Sequence, residues 1–154
     1  MENISNDHDL ERILKNLTPE QQRQLGGRFI ESALDLCNDP RIRRAVKVAM
    51  DLDSDEEIIA DAFHSAKAYA VNTYTECGRD TDWSRQAAHF VGVAVACLLS
   101  DEPPAGGSSR AWRVAMQIRN ARNCALIDRP AAQESDDEAE RQRRITEEFL
   151  AETR

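Results

Sequence analysis

An all-α, single-domain bundle is the fold this sequence predicts, and three features carry that prediction. From Ala87 to Leu99 the run AAHFVGVAVACLL has a single polar side chain, His89, and is too long and too alanine-rich for an ordinary strand. Helix start signals recur along the chain, at Thr18-Pro19 with Gln21, at Asp39-Pro40, and at Ser54 with Glu57. Aromatic residues make up only 5% of the 154 residues while alanine is plentiful, which suits closely packed helices better than stacked sheets. A chain of this size buries roughly two-thirds of its unfolded surface, so one domain needs neither disulfides nor metals to hold it.

Residues 1–17 read as a loosely docked N-terminal segment, with Leu10, Ile13, Leu14 and Leu17 on one side of a short amphipathic helix. Thr18 then opens a helix to about Cys37 that turns Leu25, Phe29, Ala33, Leu36 and Cys37 inwards. Gly26 and Gly27 weaken it by up to about 1 kcal/mol each relative to alanine, unless they let another backbone come near. After a very short turn Asp39 and Pro40 start the next helix, so the two form an antiparallel hairpin with Ile42, Ala45, Val46, Ala49 and Met50 inside. Ser54 and Glu57 cap a long helix to about Cys77, closed by Gly78. Its apolar face is Ile58, Ile59, Ala62, Phe63, Ala66, Tyr69, Ala70, Thr73 and Tyr74.

The central helix follows, with Asp80 and Thr81 as N-cap candidates. Val91, Val93 and Val95 alternate with small residues as in a strand, but length and flanks decide for helix. On a helical wheel Trp83, Ala87, Phe90, Val91, Ala94, Cys97 and Leu98 share one broad side, and Ala88, Gly92 and Ala96 share another. A small residue at every fourth position leaves a shallow groove for a second helix, so this element packs on two sides. DEPPAGGSSR forbids regular structure and marks an exposed loop, after which Ser108 or Ser109 caps a helix from about Arg110 to Leu126. Val114, Ile118, Ala121 and Ala125 form its inward stripe, and Arg129 and Pro130 end it. RPAAQESDDE is a polar linker, and Ser135 with Glu138 caps a last helix anchored by Ile145, Phe149 and Leu150. The expected architecture is about five core helices built as antiparallel hairpins within residues 18–128. Residues 129–154 add the linker and a weaker C-terminal helix.

The formal net charge of −8 disfavours nucleic acid and anionic membranes and steers basic proteins towards the chain. Arg110, Arg113, Arg119 and Arg122 form no single basic stripe, because the first two and the last two lie on opposite sides. The N-terminus has neither a basic nor an apolar leader region and no segment is long enough to span a bilayer, so a cytoplasmic protein is expected. Cys37, Cys77, Cys97 and Cys124 show no paired spacing and read as reduced thiols in the core.

Candidate functional residues are few. His89, with Arg85 one turn before it, sits in the apolar run as a candidate ligand, base or pH switch, against the plainer reading of a neutral imidazole bonded across a helix contact. Asp61 and His64 have the spacing of a metal half-site, but both fall opposite the apolar face of their helix, and Gln86 stands where His89 would need a carboxylate. No metal site or cofactor is expected. No nucleophile elbow or phosphate loop is present, so no catalytic residue is assigned. The acidic cluster Asp51, Asp53, Asp55, Glu56 and Glu57 lies at a helix N-terminus, where the dipole favours it, as a cap and solvated face or as the dock for a basic partner.

Asp39, Arg41, Arg43 and Ala45 stand at a turn into a helix, an alanine-rich stretch surrounds His89, and Glu138 to Gln142 lie near the end. On these motifs residues 28–150 resemble a small helical family of unknown function from planctomycete-type bacteria and are similar to the immunity proteins assigned to polymorphic-toxin systems. The immunity pattern carries two central histidines; this chain keeps His89 and has Val95 near the second position. The resemblance implies a protein that binds and blocks a toxin. The expectation is therefore a non-enzymatic helical interaction module with a basic protein partner. The alternatives are a metal-binding or enzymatic bundle using His89 with His64 and Asp61, and a homo-oligomeric structural protein with an apolar patch at Trp112 and Met116.

Overall fold

The computed structural model describes residues 3–74, 81–128 and 137–153, and among these it is entirely helical, without a strand. Seven α-helices follow in order: α1 (Asp7–Lys15), α2 (Pro19–Glu31), α3 (Pro40–Met50), α4 (Glu56–Thr73), α5 (Trp83–Leu99), α6 (Arg110–Asp128) and α7 (Glu138–Glu152). Short 3-10 turns lie at Leu34–Leu36 and Ala105–Gly107. Cys77, Gly78, Asp80, Arg129, Pro130 and Ser135 lie outside the described residues. Among the described residues no helix is long and apolar enough to cross a membrane.

Side-chain oxygens set the helix starts. Thr18 and Gln21 form the reciprocal capping box, at 3.2 and 3.0 Å, and Asp39 accepts from the Arg41 amide at 2.8 Å. Three other starts, those of α4, α5 and α7, fall one or two residues later than expected. Asp55 rather than Ser54 caps α4, accepting from Ile58 N at 2.9 Å, because the Ser54 hydroxyl is taken by the Val48 carbonyl at 3.0 Å. Asp82 rather than Asp80 or Thr81 caps α5, accepting from Arg85 N at 3.0 Å. Ser109 caps α6 through Trp112 N at 3.0 Å, and Asp137 caps α7. The second helix stops at Glu31, six residues before Cys37, and the chain passes through the 3-10 turn into extended backbone at Cys37. Ala33 and Cys37 still reach the core, so their inward pattern comes from a turn and not from helix.

α5 is central. It packs chiefly on α6 and α4 and also touches α2, α3 and the Leu34–Leu36 turn, burying Ala87, Val91, Ala94, Val95, Leu98 and Leu99. α6 faces it with Ala111, Val114, Ala115, Ile118 and Ala121, all fully buried, and reaches α1, α2 and α7. Small side chains on both helices allow this close packing. α1 is held more firmly than a loosely docked segment, since Leu10 and Leu14 are fully buried. α7 inserts Phe149 as an apolar anchor together with the buried polar residues Gln142 and Thr146, while Ile145 and Leu150 are only partly covered.

Gly92 marks a close crossing of α4 and α5. A Cβ there would lie 2.8 Å from the Tyr69 ring and 3.6 Å from the Ala70 Cα of α4. The ring has little freedom to retreat, because its hydroxyl lies 3.2 Å from Cys37 Sγ in the core. Gly92→Ala should therefore destabilise the protein by about 1–3 kcal/mol despite its better helix propensity. Urea unfolding with an unchanged slope but a lower midpoint checks this, and an unchanged or raised midpoint would contradict the crossing.

Candidate functional site

The five acidic residues singled out from the sequence gather at the corner where α3 ends and α4 begins, and all are exposed. Asp51 is the C-cap residue of α3 and its Oδ1 accepts from Asp53 N at 3.0 Å, while Asp55, Glu56 and Glu57 surround the positive N-terminal end of α4. Among the described residues none of the five carboxylates enters a salt bridge. Within this corner two large apolar side chains reach solvent, Leu52 at 45% and Ile58 at 46% exposure. Ile58 was expected on the apolar face of its helix. It sits instead on the flank, where no helix covers it.

His89 and Arg85 have a different task. Each turn of α5 places one of them against the last turn of α4, whose final carbonyls have no helical donor. Arg85 donates to the Asn72 carbonyl, and His89 Nδ1 lies 2.6 Å from the Ala70 carbonyl. A carbonyl can only accept, so Nδ1 carries the proton and Nε2 is the ring's remaining polar atom. The ring is fixed further by edge contacts with Tyr74 and Phe90, at 5.6 and 5.2 Å between centroids. This is the interhelical hydrogen bond of the plainer reading. Asp61 and His64 are both exposed on α4, as the wheel predicted, and among the described residues no group of three His, Cys, Asp or Glu is placed to hold a metal ion. Trp112 and Met116 are partly buried against the core, with the Arg119 guanidinium 5.7 Å from the Trp112 ring centroid.

A groove of about 540 Å³ runs between α4 and α5, lined by Phe63, Lys67, Ala70, Val71, Tyr74, His89, Val93, Ala96 and Cys97. Val71 and Tyr74 are 69% and 60% exposed. Tyr74, expected to face inwards, stands at its open edge. Burial pushes the Cys97 thiol above its usual pKa, which keeps that wall neutral. The signal available from sequence was Val71, a large apolar residue near the end of α4 outside the face assigned to the core. A second, more enclosed hollow of about 460 Å³ continues past Phe63 towards Glu56, Ile59, His64, Leu99 and Asp101. No protein-family model, curated protein or solved structure matches this chain.

The arginines examined for a nucleic-acid stripe are spent inside the molecule. Arg119 makes a two-pronged pair with Asp7 at 2.7 and 2.8 Å and donates to Gln142 at 2.9 Å, joining α1, α6 and α7. Arg122, almost fully buried, pairs with Asp35 at 3.0 Å and reaches the Ser32 carbonyl at 3.2 Å. Glu138 sits beside it with its side chain 6% exposed, 3.7 Å from Arg122 and 2.7 Å from Arg141. Burial outweighs these cations and lifts the Glu138 carboxyl from an ordinary 4.5 to about 7, while Arg122 and the Gln142 amide pull the other way.

A carboxyl raised in the folded state binds its proton more tightly there than in the unfolded chain. Its contribution is therefore complete below pH 4.5 and is lost as pH rises towards 7. At about 1.4 kcal/mol per pH unit, wild-type stability should fall by at most about 3 kcal/mol across that window from this group. Glu138→Gln should flatten that part of the profile, read from urea midpoints at each pH; parallel profiles for the two proteins would reject the assignment.

Proposed function

We propose that this chain is a cytoplasmic, non-enzymatic interaction module of the immunity type, which covers a basic surface on a partner protein such as a toxin. One observation carries the reading: at the α3–α4 corner Leu52 and Ile58 are exposed among five carboxylates that have no cationic partner among the described residues. An apolar centre with a charged rim is the anatomy of a protein interface. Two large apolar side chains held in water gain free energy when a partner covers them. The carboxylates and the net charge of −8 raise the rate of encounter with a basic surface and disfavour acidic ones. Basic residues of the partner would meet Asp53, Glu56 and Glu57, while Asp55 stays engaged as the helix cap. Blocking then requires no chemistry from this chain, only steric cover of the partner's working surface.

The test is co-expression with the product of an adjacent toxin-like gene. Growth rescue and co-purification are expected. Asp53→Lys with Glu56→Lys and Glu57→Lys should slow association about tenfold or more at low salt, and Leu52→Asp should shorten the lifetime of the complex. A complex whose rates ignore both changes, or no rescue and no complex, would refute the proposal.

A further inference from the structure

We infer that the α4/α5 groove is a binding site for an aliphatic monocarboxylate, with its hydrocarbon chain along Val71, Tyr74, Val93 and Ala96 and its carboxylate at Lys67. The site is separate from the acidic corner and does not depend on the function proposed there.

Its chemistry departs from the rest of the surface. In a chain of net charge −8, none of the nine described residues that line the groove is acidic, and Lys67 is the one formally charged residue among them. The Lys67 ammonium lies 5.8 Å from the Phe63 ring centroid, so its stem follows the apolar wall while its charge stays at the water edge. The other polar groups leave the wall apolar. His89 Nδ1 is committed to the Ala70 carbonyl, and the Cys97 thiol is held neutral. An occupant must therefore be apolar over most of its length and anionic at one point, which rules against the basic surface expected at the corner.

Size agrees with this. The volume of about 540 Å³ falls within the roughly 300 to 1,000 Å³ of small-molecule sites. From Phe63 to Tyr74 the α4 wall runs about 16 Å at 1.5 Å per residue. At roughly 1.2 Å advance per bond of an extended chain, that length holds about thirteen bonds, so a chain of about ten to twelve carbons fits within it. Covering Val71 and Tyr74, the two most exposed of the large apolar residues among those described, supplies the driving force.

Dodecanoate below its micelle concentration is the probe, followed by calorimetry and by methyl NMR of Val71 and Val93. Saturable one-to-one binding is expected, with shifts confined to the groove. Lys67→Ala should weaken it at least tenfold and Lys67→Arg should restore it, while Val93→Asp should abolish it in a protein whose thermal unfolding shows it still folds. The triple lysine variant of the acidic corner should bind dodecanoate as wild type does, which separates this site from the proposed partner surface. Dodecyltrimethylammonium or dodecanol binding as tightly as dodecanoate, indifference to Lys67→Ala, or a ligand-free dimer that Val71→Asp dissociates would each overturn the assignment.

Discussion

The last carbonyls of a helix point along its axis with no donor of their own, and in this bundle the capping of those ends depends on side chains borrowed from another element. Gln22 donates to the Leu14 carbonyl at the end of α1, while its Oε1 accepts from Ala111 N at the start of α6 at 2.8 Å. Arg122 reaches Ser32 just beyond α2, Arg23 reaches Ala49 at 3.1 Å in the last turn of α3, and Arg110 reaches Cys97 at 2.7 Å in the last turn of α5. Arg85 and His89 serve α4 in the same way. Most of these donors are guanidiniums, whose charge also suits the negative end of the helix dipole. Among the described residues the two of positive φ, Gly106 and Gly107, both lie in the loop before α6, so none of these helix ends is seen closed by a left-handed glycine there.

This arrangement couples capping to tertiary structure. A helix closed by its own glycine ends wherever the glycine stands, but one closed by a distant arginine ends correctly only when the partner helix is in register. Gly92 imposes the same condition through packing, because α4 and α5 approach closely only where no Cβ intervenes. Register between α4 and α5 is therefore specified twice, by contact at Gly92 and by hydrogen bonds from His89 and Arg85, one turn and two turns before it. That redundancy holds the walls of the groove at a fixed separation, even though α4 has only Ala66, Tyr69 and Ala70 buried along its length.

What could be read from the sequence was whatever is encoded locally. The Thr18 box, the Asp39 cap and the alanine-rich central helix depend on neighbours within four residues, and each stands where the pattern placed it. The end of α2 was misplaced because the inward period of Ala33 and Cys37 continues through a 3-10 turn, and periodicity alone does not separate the two. Ser54 and Asp55 are equally good caps in isolation, and the choice between them rests on the Val48 carbonyl in the preceding helix. The pairing of Arg119 and Arg122 is not legible from local pattern, because their partners, Asp7 and Asp35, lie far away in sequence. His89 was noticed for the right reason, a polar group in an apolar run, but its partner on another helix was invisible until the helices were packed.

The use of arginine inside the fold also shapes the outside. A guanidinium turned towards a helix end or a buried carboxylate contributes little to the field at the far surface, so the carboxylates of the α3–α4 corner keep their charge largely uncompensated there. At the other end of α4 the balance reverses, since Arg85 lies over the helix end and Lys67 stands beside a wall with no carboxylate among its described residues. One helix therefore carries an acidic approach at its start and a cationic, apolar furrow towards its finish. A single ligand matching both would need basic and acidic groups about 20 Å apart, the length of thirteen helical residues between Ile58 and Val71. Two different ligands, each matched to one end, place no such demand on either, and their binding would be coupled only through the rigid helix between them.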